Sequence, residues 1–88
     1  MAANSKQRLG VDGVARTPSS EDQLNQVFAE VFSSPSGQAV LKHLRSITIE
    51  SVGGPDIIDT YLRHLEGQRF LVGLIEQRVA KGQRSKNK

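Results

Sequence analysis

Six large apolar residues crowd ten positions between Phe70 and Val79 (Phe70, Leu71, Val72, Leu74, Ile75 and Val79). Wound as an α-helix, they cover an arc of roughly 200°, about twice the width of an ordinary core-facing stripe. A helix this apolar needs neighbours on more than one side. The rest of an 88-residue chain must supply them, or another molecule must.

Two shorter helices precede it. Ser20 with Gln23 matches a capping box, and Glu21 and Asp22 place negative charge in the first turn, where the helix dipole favours it. Leu24, Val27, Phe28, Val31 and Phe32 then follow at i, i+3, i+4, i+7, i+8, which predicts a one-faced amphipathic helix ending near Ser33. Ser34-Pro35 restarts the chain as cap and first helical residue of a second helix, with Ala39, Val40, Leu41, Leu44 and Ile47 on one side. Ile47-Thr48-Ile49 reads as either a frayed turn or a short extended piece, and Val52-Gly53-Gly54-Pro55 is a firm break. The third helix is predicted from Pro55 to about Ala80, with Gly82 as its stop. Gly67 and Gly73 each cost about 1 kcal/mol relative to Ala inside a helix, so a close contact at each is expected. The predicted fold is all-α: a three-helix domain over residues 19–80 with a long last helix. A flexible basic arm, 1–18, precedes it and a basic tail, 81–88, follows.

The charge pattern agrees with that division. The net charge is +3 and the isoelectric point about 9.7, which at first sight suggests nucleic-acid binding. Yet residues 1–18 carry Lys6, Arg8 and Arg16 against Asp12, and residues 81–88 carry Lys81, Arg84, Lys86 and Lys88 unopposed. The segment between them holds five basic against eight acidic residues. The basicity belongs to the ends. The tail can neutralise phosphates through Lys81, Arg84, Lys86 and Lys88, in a weak and salt-sensitive way, or simply keep the chain in solution. No aromatic residue is interleaved for base stacking, and the first helix is too acidic to enter a groove.

Little in the chain is suited to catalysis. There is no Cys, hence no disulfide, thiolate nucleophile or cysteine metal cage. His43 and His64 are the only histidines and lie in no metal-ligand spacing. Ser33, Ser34 and Ser36 are explained by helix capping, and Gly53-Gly54 lacks the lysine of a phosphate loop. No cofactor, metal or enzymatic activity is expected. No apolar run approaches the roughly 20 residues of a membrane span, and no secretory signal is read at the N-terminus, so no membrane partner is expected. Glu66 and Arg69, three apart, predict a helix-surface ion pair. Alternatively, Arg69 reaches a partner carboxylate or the free carbonyls at the end of helix one.

Two stretches carry a resemblance: Val31-Phe32-Ser33-Ser34-Pro35-Ser36-Gly37-Gln38-Ala39-Val40-Leu41-Lys42-His43-Leu44, and Glu66-Gly67-Gln68-Arg69 followed by an apolar helix. In this order and separation they resemble a family of short proteins of tailed, podovirus-type bacteriophages, encoded in the virion module near the portal and capsid genes. The resemblance covers about Phe28–Val79. It marks Phe32, Gly37, Gln38, Val40, Leu41 and Leu44 in the first motif and Glu66, Gly67 and Arg69 in the second. Phe32, Val40, Leu41 and Leu44 are read as core.

The resemblance implies a small helical virion protein without enzymatic activity. It would dock on the portal, the capsid interior or the head–tail connection, in several symmetric copies, in the virion and in the host cytoplasm during assembly. The expected partner-binding residues are Glu66, Arg69, Phe70 and Leu74. The alternatives are a small protein that binds packaged DNA through its basic tail, and a transient assembly factor.

Overall fold

The computed structural model describes residues 7–86. It is an all-α fold of three helices with a long last one, preceded by one small hairpin. The hairpin pairs strand β1 (Arg8–Leu9) with β2 (Ala15–Arg16), antiparallel, with Arg8 opposite Arg16 and Leu9 opposite Ala15. Gly13 turns the chain at φ 82°, a backbone angle open to glycine, and the Gly10 amide donates to the Val14 carbonyl at 2.9 Å. Asp12 holds the turn by accepting from the Val14 amide at 3.0 Å. Residues 8–16, expected as part of a flexible arm, are therefore folded. The reason is Asp12, whose carboxylate is anchored on the helices as described below.

Helix α1 runs Pro18–Ser33. It starts two residues earlier than the Ser20 reading, because Thr17 is the cap. Its side chain accepts from the Ser20 amide at 3.2 Å, and Pro18 suits the first helical position. Helix α2 runs Pro35–Ser46. Ser34 closes one helix and opens the next. Its hydroxyl donates to the Val31 carbonyl and accepts from the Gly37 amide, both at 3.0 Å. Gly37 is buried in this corner, and a Cβ there would run into the backbone of Val31 and Phe32.

Residues 47–50 form a turn rather than a strand, fastened by the Thr48 hydroxyl donating to the Leu44 carbonyl at 2.7 Å. An irregular stretch leads to α3, Asp59–Lys86, 28 residues and about 42 Å long. It begins four residues after Pro55, with Asp59 in the favourable first turn.

α3 does not stop at Gly82. Gly82 is buried against the Asn25 carbonyl and the Ala29 side chain, so its missing Cβ lets α1 and α3 cross closely. The contact carries the helix on through Lys81 and Arg84, which were expected in an unstructured tail.

Few side chains are fully enclosed: Ala29, Leu65, Val72 and Val79 are the buried apolar residues. α1 covers the C-terminal half of α3, while α2 and the turn after it lie against its middle. The radius of gyration is 16.0 Å and the extents 53 × 34 × 15 Å, against a radius of about 12 Å for a compact globule of this length. The molecule is a thin, elongated plate. A plate leaves apolar side chains on its faces. Val40, expected in the core, is 52% exposed, and Val27 and Val31 from the α1 stripe are about half exposed. Phe32, Leu41 and Leu44 are half-buried. The inner line of α1 is instead Asn25 and Ala29, flanked by half-buried Phe28 and Phe32, whose rings stack 6.3 Å apart.

Candidate docking surface

The wide apolar arc of α3 is only partly covered. Val72, Ile75 and Val79 turn toward the other helices. Phe70 and Leu71 stand 67% and 59% exposed, with Leu74 half-buried beside them. Gly67 lies on the same side, and a Cβ added there or at Gly73 would meet nothing within 4 Å. Neither glycine is explained by a neighbour within the described chain. The apolar face continues into a shallow groove of about 230 Å³ between the end of α2 and α3, lined mainly by Leu44, Ile47, Leu71, Val72 and Ile75.

A second apolar site lies at the start of α3. Residues 51–58 arch over Leu65 and leave an open groove of about 560 Å³. Val52, Ile58 and Tyr61 line it and are 89%, 66% and 56% exposed.

Arg69 sits between the two and ties them together. Its guanidinium donates to the Thr48 carbonyl at 2.9 Å, to the Ser51 carbonyl at 2.5 Å and to Glu66 at 2.5 Å. The predicted Glu66–Arg69 ion pair is present. The carbonyls that Arg69 reaches end α2 and its turn, not α1. Of the four residues expected to bind a partner, Phe70 and Glu66 face outward and Leu74 borders them. Arg69 holds the 48–51 turn in place.

At the opposite end lies a cluster that sequence reasoning missed. Arg78, only 4% exposed, donates to Glu21 and to Asn25, each at 2.8 Å, and to Asp12 at 3.1 Å. Arg16 bridges the same carboxylates, reaching Asp12 at 2.8 and 2.9 Å and Glu21 at 3.0 Å. The Arg78 guanidinium also lies 5.8 Å from the centre of the Phe28 ring. Hydrogen bonds from Arg16 and the Val14 amide hold the Asp12 carboxyl well below the usual carboxylate range. Burial pushes Glu21 up, but hydrogen bonds from Arg78, the Val11 amide and Arg16 outweigh it and leave it lowered. The Arg16 guanidinium is pushed up by its bond to Asp12. The signal that points to this cluster is polar intrusion: Arg78 interrupts an apolar helix, and Asn25 interrupts the α1 face four residues after Glu21.

A second cross-link, between Arg45 and Glu76 at 2.7 Å, joins α2 to α3. The Arg45 guanidinium is raised, chiefly by its hydrogen bond to Glu76. Lys81 and Arg84 are exposed on the last turns of α3, Lys86 is its final residue, and Lys88 lies outside the described residues. His43 and His64 are exposed. Among the described residues no group of three or more His, Asp or Glu side chains is arranged to hold a metal. No described helix is long and apolar enough to cross a membrane.

Residues 28–84, well over half of the chain, match the family model of Bbp19-like phage proteins. The chain belongs to that family. The match contains α2, both apolar grooves, Arg69 and almost all of α3. It leaves out the hairpin and the first turns of α1, and with them Asp12, Glu21 and Asn25, three partners of Arg78. No curated protein and no solved structure matches the chain.

Proposed function

We propose that this phage protein is a structural component of the virion that docks on the portal, the capsid interior or the head–tail connection. The observation that carries this reading is the unclosed core. A plate whose longest helix presents Phe70 and Leu71 to solvent, beside an open groove lined by Val52, Ile58 and Tyr61, is completed by another protein surface. Membership of a family of phage proteins supports this reading. Portal and tail vertices are rings of identical subunits, so a docked module is present there in several copies. Assembly takes place in the host cytoplasm.

Mass spectrometry of purified particles tests the assignment. The protein is expected in the mature particle at a fixed ratio to a head or tail component. Its absence identifies a transient assembly factor instead. A pull-down from infected cells with the full chain identifies the docking component. Ile58→Asp, in the groove at the start of α3, is expected to lose it, and an unchanged set of captured proteins would refute the interface.

A further inference from the structure

Two pairs of positions on the outward side of α3 are placed symmetrically about Phe70, while Glu66 and Leu74, four before and four after it, differ. Asp59 lies eleven residues before it and Lys81 eleven after. At about 100° per residue both fall within about 20° of the Phe70 direction. Gly67 and Gly73 lie three before and three after. Asp59 and Lys81 are exposed, and neither belongs to an ion pair among the described residues. A Cβ at either glycine would meet open space.

This arrangement fits one occupant. In an antiparallel pair of α3 helices related by a two-fold axis at Phe70, each residue faces the one equally far on the other side of Phe70. Asp59 then faces the partner's Lys81, and the same contact recurs by symmetry. Gly67 faces the partner's Gly73, and the two missing side chains let the helices close where the Phe70 rings meet. A parallel pair would set Asp59 beside Asp59 and Lys81 beside Lys81, and like charges repel. An isologous two-fold contact is also the commonest self-association in proteins.

We propose that a second copy of this chain occupies the Phe70 face, antiparallel, in the register that pairs Asp59 with Lys81. The proposal rests on reading the face as a docking surface, not on the particle assignment. It leaves the Val52–Tyr61 groove for the larger virion component.

Sedimentation velocity on the full chain over a wide concentration range tests it. A dimer is expected at tens of micromolar, with Phe70→Asp monomeric and its circular dichroism unchanged. Asp59→Lys and Lys81→Asp are each expected to weaken the dimer at least tenfold, and the double swap to restore it. Each single swap also opposes the helix dipole. A purely structural effect would therefore worsen in the double variant, and that result overturns the proposal. The chain has no Cys, so the double variant Arg63→Cys, Gln77→Cys, seven positions either side of Phe70, reports the register while keeping Phe70. Oxidation is expected to give a covalent dimer, and no cross-link overturns the register. A wild-type chain that stays monomeric overturns the pairing but leaves the virion assignment standing. A dimer absent from purified particles does the reverse.

Discussion

At the scale of single residues, glycines on one helix do opposite work. Gly82 is buried against the Asn25 carbonyl and Ala29, while Gly67 faces open space. Gly82→Ala is expected to push α1 off α3 and cost about 1–3 kcal/mol. Gly67→Ala is expected to raise the stability of the monomer by up to about 1 kcal/mol, because helix propensity improves with nothing in the way. Urea titrations of the two variants should shift in opposite directions. Arg78 is the other residue with a large expected effect. Its removal takes the donor from Asn25 Oδ1 and leaves Arg16 as the remaining guanidinium on the Asp12 and Glu21 carboxylates. The two carboxylates keep some access to water, so Arg78→Ala is placed at the low end of broken buried pairs, about 3 kcal/mol, readable by thermal melting.

At the scale of elements, the hairpin is held by charge and α2 by its cap and by Arg45. The folded-state pKa values of Asp12 and Glu21 lie below the ordinary carboxylate values of about 4. Their contribution is thus fully present above the unfolded pKa and is lost as pH falls through the folded values. Protection from hydrogen exchange at Val11 and Val14, whose amides donate to these carboxylates, taken relative to the unfolded chain at the same pH, should hold at pH 6 and fall below about pH 4. The α1 and α3 amides around Ala29 and Val79 should respond less. Equal loss of protection throughout would show that the hairpin is not held separately. Several boundaries were legible locally: Ser34 as a cap, the break at Gly53-Gly54 and the Glu66–Arg69 pair follow from short-range rules. The start at Thr17 was missed because Thr17-Pro18 competes with Ser20 as the opening signal. The hairpin was missed because Asp12 finds Arg78 only across 66 residues of chain.

At the scale of the whole molecule, thinness is the governing property. A 15 Å plate cannot enclose the apolar residues of three helices. Val27, Val31, Val40, Phe70 and Leu71 therefore remain at its surface. If those faces close by association, the native state is stabilised by mass action. The melting temperature is then expected to rise with protein concentration in the wild type and to stay constant in Phe70→Asp.

By itself the sequence determined three helices, the long last one, the corner at Ser34-Pro35 and an apolar surplus on α3. Each depends on residues within a few positions of one another, through periodicity, capping and the dipole. Only the tertiary structure decided which apolar residues go inside, that Gly82 is a crossing point rather than a stop, and that residues 8–16 are pinned to the helices. Those outcomes depend on which helix faces meet. The meeting of α1 and α3 is set by a polar centre, Arg78 with Glu21, Asn25 and Asp12, whose members lie far apart in the chain and look unremarkable one at a time.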